Sequence, residues 1–309
     1  MIKMNGKKVL KGQINGKQIQ KIVINGNTVY TSAPALPNVY FSNGTSYQKV
    51  FNSEDESWSN KTWVNTPSAL SYGYNVWSDG STIYCGASYS GSQFVLDKAT
   101  DTWTAKDWGY YISGHNVWTD GTDIYYNYYQ SSNVYSLVLN KANGTWSNKT
   151  WNGLAANVTK GEKIWTDGTN IYFSNSSTQK VLDKSTSTWN NKTWSGGTPS
   201  DGAQVWTDGT DIYYSDTSSQ LIYNKTTKSF SNKTWIGLTS FYGYNVWTDG
   251  INVYHTNNGV THKLDKSTST WTQVTQTGAP TSSANGYRIW NDNEKVKGCL
   301  LTTNTMQLL

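Results

Sequence analysis

The chain has 309 residues and a formal net charge of +5, and its composition is 36% hydrophobic and 14% aromatic, with 16 Trp and 22 Tyr. This length suits one or two domains, and the low aliphatic content disfavours a helical core, so aromatic side chains must supply much of the buried area. The sequence has no apolar run near the roughly 18 residues of a membrane span and no N-terminal apolar stretch with a cleavage site, so neither a membrane helix nor a secretory signal peptide is expected.

Residues 1–33 form the first predicted element. Three Asn-Gly pairs, at Asn5, Asn15 and Asn25, stand ten residues apart between short β-forming runs. Asn-Gly between such runs is a strong hairpin signal, so the segment predicts a small β-meander. It carries six lysines and no acidic residue, which leaves a net charge of −1 for the rest of the chain. We interpret the lysines as protection of short strand edges against aggregation rather than as a site for an anionic partner.

A short, stiff linker is predicted from Ala33 to Pro37, because proline fixes φ and restricts the residue before it. We therefore divide the chain in two. Residues 1–33 are a lysine-rich module for attachment or oligomerisation, and residues 34–309 are a second, larger domain.

The second domain repeats one stretch, represented by residues Val205 to Tyr214. Its second position is tryptophan in six copies, spaced by 41, 47, 41, 41 and 43 residues: Trp77, Trp118, Trp165, Trp206, Trp247 and Trp290. A period of this size indicates a repeat architecture. Asp208-Gly209 between apolar β-formers predicts a type I′ hairpin with positive φ at both turn residues. Because Val205 and Trp206 point to opposite faces of a strand, both faces of the sheet should be buried, with the six tryptophans as the structural core of the repeat.

A second repeated element runs from Leu182 to Trp189 and reads as a third strand, a polar turn and a fourth strand. Its counterparts begin at Phe51, Leu96, Leu139, Tyr223 and Leu264. Four strands in roughly 40 to 50 residues make one propeller blade, so the fold class is an all-β, six-bladed propeller of four-stranded blades. The strand at residues 288–292 completes the blade that begins at residue 38 and closes the ring. The tail from Lys295 to Leu309 has no place in this scheme, which leaves seven blades as the alternative.

The blade pattern resembles the kelch family, in which an inner hairpin is followed by a tyrosine and a later tryptophan, as from Tyr223 to Phe230 or Leu264 to Trp271 here. The resemblance covers about residues 38 to 309. The double glycine of the family is missing, since Tyr214-Ser215-Asp216 stands in its place. The resemblance implies fold more than function, because kelch propellers include enzymes, scaffolds and ligand-binding proteins.

Cofactor and metal chemistry find no support in the sequence. Cys85 and Cys299 are far apart and in no metal or redox spacing, and His115, His255 and His262 form no ligand pair with carboxylates. The repeated Asp79, Asp120, Asp167, Asp208 and Asp249 are explained by a turn role rather than by calcium. Four Asn-Lys-Thr triplets, at Asn60, Asn148, Asn191 and Asn232, are interpreted as turns rather than as glycosylation sites.

Nucleic acid is an unsuitable partner, because Arg288 is the only arginine in the chain. A glycosidase or polysaccharide lyase is the rival class, since two loop carboxylates among Asp107, Glu162, Asp201 and Asp216 could serve as acid and base. The sequence pairs none of them, so we expect no enzyme activity and keep glycan degradation as the alternative.

Sequence differences among the copies are concentrated in the links between blades and in the loops between second and third strands, which emerge at the same end of a four-stranded meander. These segments are rich in aromatic residues, and loops on a rigid scaffold are where binding usually occurs. The predicted ligand-binding residues are Tyr72, Tyr74, Tyr89, Tyr110, Tyr111, His115, Tyr128, Tyr129, Phe241, Tyr242, Tyr244 and Tyr287. For Tyr74 and Tyr244, packing around the central channel is the competing interpretation.

The lysine-rich Asn-Gly module ahead of an aromatic propeller resembles tail-associated, receptor-binding proteins of phages or prophages of Gram-positive bacteria. The resemblance rests on residues Lys17 to Tyr30 and on the arginine-poor composition. It implies a viral structural protein on the virion tail, outside the cell, that uses its propeller for host recognition and residues 1–33 to contact other virion tail proteins or a second copy of the chain. We therefore expect a non-enzymatic protein that binds a bacterial surface glycan, with no membrane partner and no cofactor. A scaffold binding another virion protein is a second alternative.

Overall fold

The computed structural model describes residues 37–292, except 44–46, 72, 80, 87–92, 131–132, 154–160 and 282–284, together with six short strands before residue 37. Backbone alone is described for those six strands and for residues 71, 115, 129, 130, 133 and 134. The chain divides into two compact units, Met1–Leu36 and Pro37–Leu309. Among the described residues, no helix has the length and apolar character needed to cross a membrane.

The first unit contains three two-stranded antiparallel hairpins, each with an Asn-Gly pair between its strands. The paired strands are Lys3–Met4 with Lys7–Lys8, Gln13–Ile14 with Lys17–Gln18, and Lys21–Ile24 with Asn27–Thr31. The last pair changes register between Ile22 and Val23. The described strands therefore pair across the three Asn-Gly positions, as the sequence predicted.

The second unit is a propeller of six blades, each an antiparallel four-stranded sheet, as predicted. Blade 1 contains Ile289–Asn291, Val39–Asn43, Tyr47–Asn52 and Ser57–Asn60. Blade 2 contains Val76–Ser78, Ile83–Gly86, Gln93–Asp97 and Thr102–Lys106, and blade 3 contains Val117–Thr119, Ile124–Gln130, Asn133–Asn140 and Thr145–Asn148. Blade 4 contains Ile164–Thr166, Ile171–Asn175, Thr178–Asp183 and Thr188–Asn191. Blade 5 contains Val205–Thr207, Ile212–Ser215, Gln220–Asn224 and Ser229–Asn232, and blade 6 contains Val246–Thr248, Val253–Asn257, Val260–Asp265 and Thr270–Val274.

The ring is closed by the C-terminal strand of blade 1. In this strand Ile289 pairs with Phe41 and Trp290 pairs with Tyr40. The described residues therefore form six blades, and the seven-bladed alternative is not the arrangement found. The tail from Lys295 to Leu309, which prompted that alternative, lies outside the described residues.

The turn between the first and second strands differs from the predicted type I′ turn. The last paired residues are Thr207 and Ile212, so the loop has four residues rather than two. Asp208 accepts hydrogen bonds at Oδ1 from the backbone N–H groups of Thr210 and Asp211, both at 2.9 Å. Only Gly209 has positive φ, at 92°. The carboxylate of Asp208 caps a longer loop, and this leaves glycine alone in the left-handed region.

An aromatic cluster fills the interface between neighbouring blades. The rings of Trp206 and Tyr213 of blade 5 lie 4.5 Å apart, centroid to centroid, and Trp235 of the following link stacks on Trp206 at 5.7 Å. Trp271 of blade 6 completes the cluster at 5.9 Å from both Trp206 and Trp235. All six repeat tryptophans are buried in equivalent positions. The aromatic rings therefore supply most of the buried apolar area in a chain with few aliphatic residues.

The Asn-Lys-Thr triplets end the outer strands instead of forming the turns we expected. Asn232 is the last residue of its strand, and the next N–H, of Lys233, still donates to Gln220 O at 2.8 Å. The ammonium of Lys233 lies 4.5 Å from the centroid of the Trp235 ring, and the same cation–π contact recurs for Lys61 with Trp63, Lys149 with Trp151 and Lys192 with Trp194. Each lysine therefore covers the outer edge of a blade interface.

Candidate functional site

The links between blades and the loops between second and third strands lie at one end of the propeller, which we call the loop face. This follows from the strand order of every blade, and hydrogen bonds connect two of the links to the loop-face end of the preceding blade. Gln179 Nε2 donates to Pro199 O at 3.0 Å, and Ser240 Oγ donates to Thr217 O at 3.1 Å. Among the described residues, the links that follow blades 4 and 5 are therefore joined to the loop-face ends of those blades.

Each link ends in a short 3-10 turn immediately before the first strand of a blade. The turns are Gly73–Asn75, Gly114–Asn116, Gly161–Lys163, Gly202–Gln204, Gly243–Asn245 and Gly286–Arg288. Each turn contacts the next and the last contacts the first, so together they form a closed ring around the propeller axis. The leading glycine allows this approach, because a Cβ on Gly202 would lie 2.0 Å from Lys163 O, and the other five glycines meet their neighbours in the same way.

The middle positions of the turns make this axial ring chemically asymmetric. In ring order they are Tyr74, His115, Glu162, Ala203, Tyr244 and Tyr287. Three tyrosines therefore follow one another, from Tyr244 through Tyr287 to Tyr74. Their ring centroids are 6.3 Å apart between Tyr244 and Tyr287 and 6.0 Å apart between Tyr287 and Tyr74.

Tyr242, from the link before blade 6, extends this group. Its ring stacks on that of Tyr244, with centroids 5.0 Å apart and an angle of 18° between the planes. All four rings are half-buried. Burial raises the pKa of Tyr244, and neighbouring Tyr242, Tyr287 and Asp201 raise it further, so its hydroxyl stays protonated at neutral pH. We call these four residues the axial tyrosine arc.

The other side of the axial ring is charged. Lys163 forms an ion pair with Asp201 of the next link, and Asp201 Oδ1 also accepts from the N–H of Ala203 at 3.0 Å. Glu162 precedes Lys163 in the turn Gly161–Lys163. A ligand above the axis would therefore meet aromatic faces on one side and charged and polar groups on the other.

A second aromatic group lies at the rim, between blades 2 and 3. Tyr111 is the most exposed of its residues, with 69% of its surface accessible, and Tyr110 is also exposed. Tyr128 is half-buried on the second strand of blade 3, facing Tyr135 on the third strand. Tyr135 was not among the predicted residues. A prediction of the strand register in this hairpin would have identified Tyr135, because it pairs with Tyr128 across the two strands.

Phe241 is not part of the exposed surface that the sequence predicted. It is 2% exposed and packs in the interface between blades 5 and 6, with its ring 5.4 Å from Trp271 and 5.0 Å from His255. An apolar ring next to an interface is stabilised more by burial than by exposure. Phe241 therefore belongs to the core, unlike its neighbour Tyr242.

The side chains of four other predicted residues are not described. Tyr72 and Tyr89 lie outside the described residues, and for His115 and Tyr129 only the backbone is described. The backbone places His115 in the axial ring and Tyr129 on the hairpin that carries Tyr128.

His255 introduces a pH-sensitive group beside Phe241. It is 3% exposed, and neither of its ring nitrogens has a hydrogen-bond partner among the described residues. Burial lowers its pKa to about 3, with a smaller contribution from His262. The equivalent positions of blades 1 and 4 hold Phe41 and Phe173, so an aromatic hydrocarbon fits this place in the blade.

We expect His255→Phe to reduce the acid sensitivity of the protein. In the unfolded chain the histidine binds a proton below pH of about 6.5, whereas in the folded chain it stays neutral down to a pH of about 3. Its contribution to stability is therefore lost as the pH falls through that interval. Between pH 7 and pH 4.5 the wild type should lose ~2–3 kcal/mol more than the variant. Urea unfolding of both proteins at the two pH values measures the difference, and equal losses would contradict it, because the carboxylates are common to both.

Three of the four candidate loop carboxylates, Asp107, Asp201 and Asp216, brace loops. Asp107 Oδ1 accepts from Gly109 N at 2.8 Å, and Asp216 Oδ1 accepts from the N–H groups of Ser218 and Ser219. Burial opposes ionisation of Asp216, but hydrogen bonds from Tyr214 and from those N–H groups outweigh it, and its pKa is lowered. An ionised Asp216 suits a loop brace and does not suit a general acid.

The repeated aspartates of the opposite face have a similar structural use. Asp167 Oδ1 accepts from the N–H groups of Thr169 and Asn170, and its Oδ2 accepts from the hydroxyls of Tyr172 and Tyr223. Asp208 and Asp249 have equivalent backbone and tyrosine partners. Among the described residues, no group of three or more metal-ligating side chains is found. Cys85 is buried, and Cys299 lies outside the described part of the chain.

No protein-family model matches the chain, and no curated protein matches it. Among solved structures, it is similar to a proposed 6-phosphogluconolactonase from Bacteroides uniformis, with 14% identity, a TM-score of 0.42, and coverage of 83% of this chain and 99% of the other. The extracellular domain of a proposed one-component system from B. thetaiotaomicron gives 11% identity and a TM-score of 0.47, over 84% of this chain and 37% of the other. PorZ, a surface component of the type-IX secretion system of Porphyromonas gingivalis, gives 11% identity and a TM-score of 0.41, over 69% of this chain and 29% of PorZ. Similarities this weak give no argument about function.

Proposed function

We propose that this protein is a non-enzymatic binding protein that recognises a bacterial surface glycan on its loop face. The observation that carries the proposal is the axial tyrosine arc, in which four half-buried rings from three links lie within 5.0 to 6.3 Å of their neighbours. Flat rings with hydroxyl groups match a sugar, which offers an apolar CH face and hydrogen-bonding groups at its edge.

The position of the arc supports binding. The turns that present it are fixed by the glycine contacts of the ring, so the tyrosines need little ordering when a ligand binds. The ring closes equally well with Ala203 at the same position, and a tyrosine there is therefore not required by the fold. Residues that the scaffold does not need, gathered on a rigid surface, are best explained by recognition.

The proposed wider setting is supported by the lysine-rich Asn-Gly module ahead of the propeller and by the arginine-poor composition. We place the protein on the tail of a phage or prophage of Gram-positive bacteria, where residues 1–33 attach it to other virion proteins and the propeller meets the host surface. The alternatives are a propeller glycosidase or lyase and a scaffold for another virion protein. The bracing roles of Asp107, Asp201 and Asp216 favour binding over catalysis.

We expect Tyr242→Ala and Tyr287→Ala to weaken binding to intact host cells or to their purified wall polysaccharide. Loss of a stacked aromatic ring should remove roughly 1–3 kcal/mol of binding free energy, by analogy with base stacking on aromatic side chains. The change in unfolding free energy should be smaller, because both rings are only half-buried. Binding and melting are measured on the same samples.

Ile251→Ala is the matched control. Ile251 is 58% exposed and lies in the loop between the first and second strands of blade 6, at the opposite end of the propeller. It should bind like the wild type. If Tyr242→Ala and Tyr287→Ala also bind like the wild type, the axial arc is not the recognition surface. Release of reducing sugar by the unmodified protein would favour the glycosidase, and release of unsaturated sugar ends would favour the lyase.

A further inference from the structure

Among the described residues, the strands of the blade 3 hairpin pair further toward the loop face than those of blades 4, 5 and 6. Its strands, Ile124–Gln130 and Asn133–Asn140, pair as far as Gln130 with Asn133, whereas the corresponding strands of blade 5 end their pairing at Ser215 with Gln220. The additional pairs carry Tyr128 opposite Tyr135.

The tyrosines of this hairpin form a stacked ladder. Tyr126 and Tyr128 have centroids 5.3 Å apart and planes at 19°, and Tyr128 and Tyr135 have centroids 5.0 Å apart and planes at 16°. The inner ring, Tyr126, is buried and contacts Trp146 at 6.3 Å, so the ladder is anchored in the blade interface. The outer ring, Tyr135, is 39% exposed.

The fold does not require these rings. The residues equivalent to Tyr128 are Asn43 in blade 1, Asn175 in blade 4, Asp216 in blade 5 and Asn257 in blade 6. Those blades close with polar side chains at the position where blade 3 presents an aromatic ring. A tyrosine pair that is stacked, partly exposed and specific to one blade is the pattern expected of a binding surface.

The link before blade 3 adds two more rings. Tyr110 and Tyr111 are both exposed. The pKa of Tyr128 is raised mainly by burial and next by Tyr135, and Tyr110 is close enough to add a smaller contribution. We define the rim surface as the stacked pair Tyr128 and Tyr135 together with the exposed Tyr110 and Tyr111 of the link that leads into blade 3. These side chains are uncharged, and the chain outside the lysine-rich module has a net charge of −1.

We infer that this rim surface is a second glycan-binding site, which takes a segment of neutral polysaccharide by stacking sugar rings on the tyrosines. The inference rests on the proposed glycan recognition and adds a site made of other residues than the axial arc. The match is chemical, since neutral sugars offer CH faces and hydroxyls but no charge. A phosphate-rich wall polymer would instead call for arginine and lysine. Two sites on one face also raise the apparent affinity for a long chain above that for a short one.

The test uses the full chain and immobilised neutral polysaccharide released from Gram-positive cell walls, with the phosphate-containing polymer from the same walls as the comparison. The double variant Tyr111→Ala/Tyr135→Ala should bind the neutral polysaccharide about tenfold or more weakly, the change produced by 1.4 kcal/mol of lost stacking. Short oligosaccharides cut from the same polysaccharide should show a smaller loss, because the axial arc still binds them.

Val260→Ala is the matched control for Tyr135. Val260 occupies the equivalent position in blade 6 and is 41% exposed, so its removal changes a similar surface without touching either tyrosine group. It should bind as the wild type does, and all variants should melt near the wild-type temperature.

The outcomes separate the two proposals. Normal binding by the rim variant together with loss in Tyr242→Ala overturns the rim site and leaves the axial site standing. Loss of binding in the rim variant together with normal binding in Tyr242→Ala overturns the axial site and leaves the rim site standing. Preference of the wild type for the phosphate-containing polymer, or for a protein component of the wall, overturns the neutral-sugar assignment of the rim.

Discussion

A chain ending at Asn285 should fail to form a stable propeller. The truncation removes Ile289–Asn291, the first strand of blade 1, and leaves Val39–Asn43 without its inner partner. It also removes Trp290, whose ring lies 4.6 Å from Tyr40 and whose indole N–H donates to Ser42 Oγ at 2.8 Å. Loss of one large buried aromatic ring lowers the free energy of unfolding by ~3–5 kcal/mol. The truncation also opens two sheet edges. The combined cost is comparable to the whole stability of an ordinary domain.

A second truncation, ending at Asp292, is the control. It retains the closing strand and the carboxylate of Asp292, which accepts from the backbone N–H of Asn38 at 2.7 Å and from its side-chain amide at 2.8 Å. The difference between the two truncations in circular dichroism and melting temperature therefore isolates residues 286–292. If both melt at the same temperature, ring closure by this strand contributes nothing to stability.

Trp206→Ala should destabilise the propeller by ~3–5 kcal/mol, the range for truncation of a buried tryptophan. Trp206 is in contact with rings from blade 5, the following link and blade 6, so its loss leaves a cavity shared by two blades. Its indole N–H also donates to Ser215 Oγ at 2.9 Å, and this buried acceptor would lose its donor. Denaturant unfolding followed by tryptophan fluorescence measures the change.

Ile236→Ala serves as the comparison for Trp206→Ala. Ile236 follows Trp235 in the same link but is exposed, so its truncation should alter stability by about 0.5 kcal/mol or less. A similar small effect of Trp206→Ala would mean that the aromatic cluster is not what holds neighbouring blades together.

The aromatic loop residues show where sequence reasoning was sufficient and where it was not. The sequence located the loop face, because strand order follows from local hairpins and the variable segments follow from comparing copies. It did not distinguish Phe241 from Tyr242, which are adjacent in the chain. One fills the space beside Trp271 and His255, whereas the other stacks on Tyr244 at the surface. The packing of the neighbouring blade determines which of the two side chains is buried. The sequence of the link alone does not reveal that packing.

The sequence by itself determined the repeat, the four strands of each blade and the closure by the C-terminal strand, and it favoured six blades while leaving seven open, which the sheet topology excluded for the described residues. These depend on short-range signals: the spacing of the tryptophans, the Asp-Gly loops, and the two halves of one blade at the ends of the domain. Only the tertiary structure decided the loop geometry around Asp208, the covering of Trp235 by Lys233, and the two tyrosine groups. The axial arc joins residues 74, 244 and 287, and such residues become neighbours only when the glycines at the axis allow the turns of separate blades to meet.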